Sequence, residues 1–332
     1  MQVSELFKQS NTILLDGGMG TMLQAAGLKL GARPEELNIT DPALIEGIHG
    51  QYAAAGSRIV NANTFGASAH KLAGSAYTLE QVITAGIENC KRACAPYGAL
   101  TALDVGPLGE LLEPSGTLAF EDAVAEYARI VKAGEAAGAD LIFFETYTDL
   151  YELKAALLAA KENTHLPILA SMSFEAGGRT FTGCTVESFA ATARGLGADA
   201  VGINCSLGPK EIFPMAKRLA EAVPGNFPVF VKPNAGLPRA DGSGYDITPQ
   251  LFALQMKPYR ELHLFAAGGC CGTTPEFIKL LNGTFAGCTP GRPAHRMPSV
   301  LCTPVDTVTV DGITVVGERI NPTGKKRFQQ AL

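Results

Sequence analysis

Three cysteines have the neighbours and the placement that a metal site requires. Cys205 ends the apolar run AVGINC, and the adjacent Cys270 and Cys271 follow the run LHLFAAGG. Zinc favours tetrahedral sulfur and nitrogen ligands, and catalytic zinc sites combine three protein ligands with one open position. The three thiols therefore indicate a zinc site that suits a thiol substrate. From the pattern alone, buried apolar cysteines are an equally good interpretation.

The chain holds 8 cysteines in 332 residues, which is too sparse for a disulfide framework in a reducing compartment. We expect the five cysteines outside the trio to be small buried apolar residues. They are Cys90, Cys94, Cys184, Cys288 and Cys302.

Composition and charge narrow the class of protein. Hydrophobic residues make up 46% and charged residues 18%, with a net charge of -5, so the sequence predicts no broad basic surface for nucleic acid or anionic lipid. The first residues lack the features of a secretory signal, and no apolar run approaches the roughly 20 residues that span a bilayer. The segment DGGMG lacks the lysine and hydroxyl of a phosphate-binding loop. We expect a soluble, cytoplasmic protein that acts on small molecules.

The elements that must position the thiols alternate regularly. Eight short apolar runs are separated by segments with helical spacing, such as 78–95, 120–137 and 149–162. This pattern predicts an α/β protein with a (β/α)8 TIM barrel, with a doubly wound sheet as the alternative. The predicted strands are TILLD, SRIVNAN, LTALDVG, DLIFFET, LPILASMS, DAVGINC, FPVFVKPN and LHLFAAGG.

Polar residues occur near the carboxyl ends of these runs, where barrel enzymes place their active sites. In a barrel, strands six and eight lie close together at this mouth, so Cys205 can share one metal with Cys270 and Cys271. The polar residues expected there are Asp16, Asn63, Asp104, Glu145, Ser173, Cys205, Asn234 and Cys270.

The predicted barrel covers residues 1–287, and the character of the sequence changes after it. Residues 288–305 contain four prolines without periodicity and are interpreted as a linker. Residues 306–332 alternate apolar and polar side chains around Asp311 and Gly312, which predicts a short β-hairpin extension.

Several segments together resemble the homocysteine-binding, zinc-dependent S-methyltransferases, in particular the branch that forms the N-terminal module of cobalamin-dependent methionine synthases. The resemblance covers most of the chain. The segments that show it are LLDGGMGTMLQ, PEELNIT, NANTFGAS, DVGPLGELLEPSG, FFETYTDLYELKAA, GINCSLGP, VKPNAG and GGCCGTTPEFI.

The resemblance implies that Cys205, Cys270 and Cys271 bind Zn²⁺ and that the substrate is homocysteine. It implies methylcobalamin as methyl donor, methyltetrahydrofolate as the ultimate donor, and methionine as product. The tail VGERINPTGKKRF resembles the start of a folate (pterin)-binding domain, so 306–332 is interpreted as a truncated part of one. The implied partners are corrinoid-binding and folate-binding domains or proteins. The alternatives are a non-catalytic homocysteine-binding fragment and an enzyme that uses betaine or S-methylmethionine.

The amino acid end of homocysteine needs its own binding groups. The resemblance favours Asp16 and Glu145 for the ammonium group, although carboxylates at strand ends also serve as helix caps. The backbone N–H groups of Gly17 and Gly18 suit the substrate carboxylate, since missing side chains permit close approach. Asn234 is expected near the metal, as a substrate-binding residue that holds the open zinc position before the substrate arrives or bonds to the substrate amine, with a turn-forming role as the alternative.

Overall fold

Eight parallel strands form the centre of the protein. A computed structural model describes residues 11–29, 31–239, 244–293, 297–315, 317 and 326–331. A strand lies at each predicted apolar run, in the predicted order. The strands are β1 Ile13–Leu14, β2 Ile59–Asn61, β3 Leu100–Val105, β4 Leu141–Tyr147, β5 Ile168–Met172, β6 Ala200–Asn204, β7 Val229–Lys232 and β8 Ala266–Ala267.

Helices follow the strands, and side-chain caps fix where some of them begin. Thr78 and Gln81 form a reciprocal capping box at the start of one predicted helix, and Asp149 accepts a hydrogen bond from Tyr151 N at the start of another. The described α-helices are α1 Met19–Ala25, α2 Leu37–Thr40, α3 Pro42–Ala54, α4 Leu79–Cys94, α5 Phe120–Ala136, α6 Leu150–Asn163, α7 Val186–Gly195, α8 Pro209–Glu221, α9 Pro249–Met256, α10 Pro275–Phe285 and α11 Lys326–Ala331, with 3₁₀ helices at Pro34–Glu36, Ala95–Tyr97 and Lys257–Leu262.

The sheet closes into a ring. The strands pair in parallel in the order β1-β8-β7-β6-β5-β4-β3-β2. A parallel bridge between Leu14 and Ser57 joins the two ends, and Arg58 N donates to Leu14 O at 2.7 Å. The prediction of a TIM barrel is confirmed, and the doubly wound alternative is wrong. Within the described residues, no helix combines the length and the apolar character that a membrane crossing demands.

The interior of the barrel changes from apolar to polar along its axis. One inner cluster is apolar and includes Ile59, Ala102, Phe143, Leu169 and Phe230. Alternate residues of a strand face the same side, so the residues two positions further along, or four in β6, also face inward. We call these side chains the polar layer: Asn61, Asp104, Glu145, Ser171, Asn204 and Lys232.

A C-terminal hairpin is present, as predicted, but its turn lies earlier than expected. β9 Ser299–Cys302 pairs in antiparallel fashion with β10 Thr307–Val310, so β9 falls inside the predicted linker. The turn forms at 303–306 because Thr303 and Asp306 hydrogen-bond each other, with Asp306 N donating to Thr303 Oγ1 at 3.1 Å. Most of the GERINPTGKK segment lies outside the described residues.

Four of the five cysteines predicted to be buried are buried, which confirms that expectation for Cys90, Cys94, Cys184 and Cys288. The expectation is wrong for Cys302, which is exposed. Its strand belongs to the two-stranded hairpin, most of whose side chains lie outside the core.

Two helical glycines provide a test of how tightly the barrel is packed. A Cβ atom on Gly134 of α5 would collide with the Leu103 side chain, whereas a Cβ on Gly47 of α3 meets no heavy atom within 4 Å. We expect Gly134→Ala to lower the free energy of unfolding by about 1–3 kcal/mol through overpacking. Gly47→Ala, the matched control, should raise it by up to about 1 kcal/mol through helix propensity. Urea denaturation measures both, and equal effects would contradict this description of the packing.

Candidate metal and substrate site

The three predicted metal ligands lie together at the mouth of the barrel. The sulfur atoms of Cys205, Cys270 and Cys271 all lie within 4.8 Å of one another, and those of Cys205 and Cys271 are 3.7 Å apart. Two sulfurs at about 2.3 Å from one tetrahedral zinc would be roughly 3.8 Å apart. The trio therefore fits a zinc ion, and the described residues contain no other such group of three.

The backbone adopts unusual conformations to bring these thiols together. Cys205 and Ser206, directly after β6, both have left-handed φ angles of 62° and 60°. Such angles are uncommon outside glycine and often mark functional sites. Backbone hydrogen bonds fix the positions of Cys205 and Cys270, because Cys205 N donates to Lys232 O at 3.0 Å and Cys270 N donates to Pro233 O at 2.8 Å.

Burial and the contacts among the three thiols raise their pKa values. The hydrogen bond with Cys270, together with burial, raises the pKa of Cys205 to about 12. The hydrogen bond with Cys205, together with burial, raises the pKa of Cys271 to about 11. A metal ion that is bound by these three cysteines as thiolates would therefore displace the protons of the thiols.

A buried lysine, which sequence analysis missed, joins the two predicted substrate carboxylates. Lys232 Nζ lies 3.1 Å from Asp16 Oδ1 and 2.9 Å from Glu145 Oε2, and the lysine side chain is 2% exposed. The Glu145 contact is a hydrogen bond, and the Asp16 contact is an ion pair. Burial alone would lower the pKa of Lys232, but Asp16 and Glu145 outweigh it and raise that pKa well above its usual value.

This triad changes the interpretation of the two carboxylates. Lys232 neutralises one of their two negative charges, so an ionised triad retains one negative charge. Burial raises the pKa of Asp16 and Lys232 opposes that rise. The remaining charge suits one further cation, such as an ammonium group, so the predicted role of Asp16 and Glu145 stays compatible with the geometry.

Asn204 is a second residue that sequence analysis missed. Its Oδ1 accepts hydrogen bonds from Thr146 N and Ser171 Oγ, both at 2.9 Å, and its Nδ2 donates to Thr146 Oγ1 at 2.7 Å. Thr146 has a φ of 66°, a strained angle for a β-branched residue. Asn204 thus holds the backbone turn beside Glu145, and its Nδ2 also lies 3.8 Å from Cys270 Sγ.

The two predicted glycines and Asn234 occupy different places. Gly17 and Gly18 line the cavity at the mouth, and a Cβ on Gly18 would lie 2.8 Å from Cys270 O, so only glycine fits there. The Gly18 N–H already donates to Thr273 O at 3.2 Å. Asn234 is not among the residues that line the cavity; its Oδ1 accepts a hydrogen bond from Cys271 N at 3.0 Å.

A single cavity connects the thiols to the ion triad. Its volume is about 330 Å³, and Tyr245 and Phe65 form part of its wall. The lining residues include Asp16, Gly17, Gly18, Asn61, Asn63, Asp104, Glu145, Cys205, Lys232, Cys270 and Cys271. The cavity therefore brings the three thiols and the charged triad within reach of one small molecule.

Comparisons with known proteins place the chain in a family. A family model described as homocysteine S-methyltransferase matches residues 13–285. The methionine synthase of Mycobacterium tuberculosis is 32% identical over 343 residues, covering 96% of this chain and 28% of that protein. The methionine synthase of Mycobacterium leprae is 32% identical over 350 residues, with the same two coverages of 96% and 28%. The chain thus spans less than a third of the curated relatives it matches.

Solved structures show the same fold. The oxidized form of the homocysteine methyltransferase MmuM from Escherichia coli superposes with a TM-score of 0.73 at 24% identity, covering 85% of this chain and 98% of that one. The metallated form of MmuM gives a TM-score of 0.73 at 23% identity, covering 85% and 99%. At this level of identity the likeness concerns the fold.

The ion triad predicts a pH-dependent stability defect. Lys232→Met leaves two buried carboxylates without their cation, so we expect it to lower the free energy of unfolding by about 3–5 kcal/mol near neutral pH. The pKa of Asp16 is already raised in the native protein and rises further without Lys232. A carboxyl group whose pKa is raised on folding stabilises the folded state at low pH, and this contribution is lost as the pH rises. The stability defect of Lys232→Met should therefore be smaller at about pH 5 than at about pH 8.

Urea denaturation at the two pH values measures this defect. The matched control is Lys210→Met, at an exposed position of α8, which should change stability by less than about 0.5 kcal/mol. A defect in Lys232→Met that does not shrink at the lower pH would show that charge is not its cause.

Proposed function

Because the chain belongs to the homocysteine S-methyltransferase family, we propose that it binds homocysteine at a zinc ion and methylates its sulfur. The family membership confirms the predicted resemblance and the predicted class, a methyltransferase. The observation on which the proposal rests is the group of three thiols, within 4.8 Å of one another, at the wall of the charged cavity. Cys205, Cys270 and Cys271 would hold the zinc.

The substrate sulfur needs activation before it can accept a methyl group. A free alkyl thiol has a pKa of about 8.5, so only roughly a few per cent is thiolate at neutral pH. A bound zinc ion would supply the deprotonation of a coordinated thiol. Three cysteinate ligands leave the site with a formal charge of about -1, which keeps the bound sulfur electron-rich.

The protein's own residues would orient the rest of the substrate. Asp16 and Glu145 would accept hydrogen bonds from the ammonium group, with Lys232 holding both carboxylates in place. The backbone at Gly17 and Gly18 would approach the substrate carboxylate, and the Gly17 N–H is the better candidate because Gly18 N already donates to Thr273. Asn234 would act by fixing the Cys271 backbone.

The proposed methyl donor is methylcobalamin, with methyltetrahydrofolate as the ultimate donor and methionine as the product. Similarity to two methionine synthases supports this choice over betaine or S-methylmethionine. The chain spans 28% of those relatives, which supports corrinoid-binding and folate-binding domains or proteins as partners. A homocysteine-binding module without activity of its own is the alternative that the donor experiment below distinguishes.

Zinc reconstitution tests the metal site. We expect the native chain to take up one zinc ion and then to bind homocysteine with release of a proton, because the thiol is deprotonated on coordination. Elemental analysis gives the metal content, and calorimetry in buffers of different ionisation enthalpy gives the proton count. Cys271→Ala should lose both the zinc and the proton release.

The matched control is Cys302→Ser, because Cys302 is exposed and lies outside the site. It should keep one zinc and native homocysteine binding. Homocysteine binding that persists unchanged after chelation of all zinc would refute the proposed mechanism.

The donor is tested by supplying each candidate to the zinc-loaded chain with homocysteine and measuring methionine. We expect product with methylcobalamin and none with betaine or S-methylmethionine. Product with either of the latter would overturn the donor assignment, and no product with any donor would favour the binding module without activity.

A further inference from the structure

The cavity contains polar atoms that the protein itself leaves without hydrogen-bond partners. In the described part of the chain, seven buried side-chain nitrogen or oxygen atoms have no hydrogen bond, and three of them belong to residues that line this cavity. One of the three, Asp16 Oδ1, is ion-paired with Lys232, which leaves Asn61 Nδ2 and Asp104 Oδ1 without a partner. Unpartnered buried polar atoms are costly, so their concentration at one cavity indicates a ligand that pairs with them.

Within the polar layer, the unpartnered atoms are confined to two strands. Lys232 pairs with Glu145, and Ser171 bonds with Asn204. Asp16, outside the layer, has its Oδ1 beside Lys232. This leaves Asn61 on β2 and Asp104 on β3, which are 6% and 7% exposed.

These two residues lie across the barrel from Cys205. The ring order places β2 opposite β6, the strand that leads into Cys205, and β3 opposite β7. A ligand whose sulfur lies at the thiols must therefore extend across the cavity to reach Asn61 and Asp104. A short amino acid with a terminal thiol has this arrangement of groups.

On the basis of the proposed function, we propose that Asp104 accepts a hydrogen bond from the substrate ammonium group and that Asn61 donates one to the substrate carboxylate. The two residues would then determine that the thiol substrate must be an amino acid. The chemistry matches each atom, since Asp104 Oδ1 is an acceptor that can carry negative charge and Asn61 Nδ2 is a neutral donor.

The surroundings of both residues support these roles. Burial, followed by the nearby Glu145, raises the pKa of Asp104 well above its usual range, and a bound cation would compensate for both effects. Asn61 N donates to Asp16 Oδ2 at 2.7 Å, which fixes the Asn61 backbone beside the ion triad. Its side-chain amide then faces the cavity without a charge that would repel a carboxylate.

Three ligands test the assignment on the zinc-loaded full chain. They are homocysteine, mercaptobutanoate, which lacks the ammonium group, and aminopropanethiol, which lacks the carboxylate. Calorimetry measures the affinity of each for the native protein and for Asp104→Asn and Asn61→Ala. Asp140→Asn and Asn163→Ala are matched controls, because these residues lie at the opposite end of the barrel and at the end of α6.

We expect Asp104→Asn to weaken homocysteine and aminopropanethiol binding by about tenfold or more, the size of a charge-assisted hydrogen bond, and to spare mercaptobutanoate. Asn61→Ala should weaken homocysteine and mercaptobutanoate and spare aminopropanethiol. Both controls should bind all three ligands like the native protein. Asp104→Ser provides the same comparison if the Asn variant does not fold.

Equal weakening of all three ligands by either variant, or no weakening, would overturn the assignment of that residue while leaving the proposed function intact. Failure of the native, zinc-loaded chain to bind homocysteine would overturn the proposed function and this inference together. The pattern across ligands separates direct contact from a merely structural defect, since the latter does not depend on which substrate group is missing.

Discussion

A lysine buried between two carboxylates is the interaction on which the organisation of the site depends. Asp16 follows β1, Glu145 lies on β4 and Lys232 ends β7, so the triad links three parts of the ring at its centre. Isolated buried charges are too costly to persist, and each member of this triad requires the others. An ionised triad keeps one negative charge, which would suit one cation at the floor of the cavity.

One backbone segment connects the three thiols to the ion triad. The carbonyl of Lys232 accepts the hydrogen bond that fixes Cys205, and the next residue, Pro233, accepts the one that fixes Cys270. The segment after β7 therefore fixes the backbone of both Cys205 and Cys270. Asn234, in the same segment, fixes Cys271 by accepting a hydrogen bond from its N–H. Movement of this one segment would disturb the three thiols and the carboxylates together, which couples the two ends of the proposed substrate site.

Strand geometry explains how a barrel core becomes a binding site over a short distance. The inner face is apolar at Phe143 and Phe230, and two residues later it carries Glu145 and Lys232. Lys232 Nζ also lies 5.0 Å from the centre of the Phe143 ring, so the apolar cluster contacts the polar layer directly. The apolar layer excludes water from below, which strengthens the electrostatic interactions of the polar layer above it.

The sequence by itself determined the order of strands and helices, the number of eight units and the choice of the three cysteines as predicted metal ligands. Apolar periodicity and the position of a residue at the end of a strand are local patterns, which a sequence shows directly. It also placed Asp16 and Glu145 at the mouth. Strand periodicity could have identified Lys232 and Asn61, since each lies two residues after an inward apolar side chain. Only the tertiary structure decided that Lys232 pairs with both carboxylates, that Asn204 holds Thr146, and that Asn61 Nδ2 and Asp104 Oδ1 have no hydrogen-bond partner. Pairing of this kind depends on distances across the closed ring, between residues that are far apart in the chain.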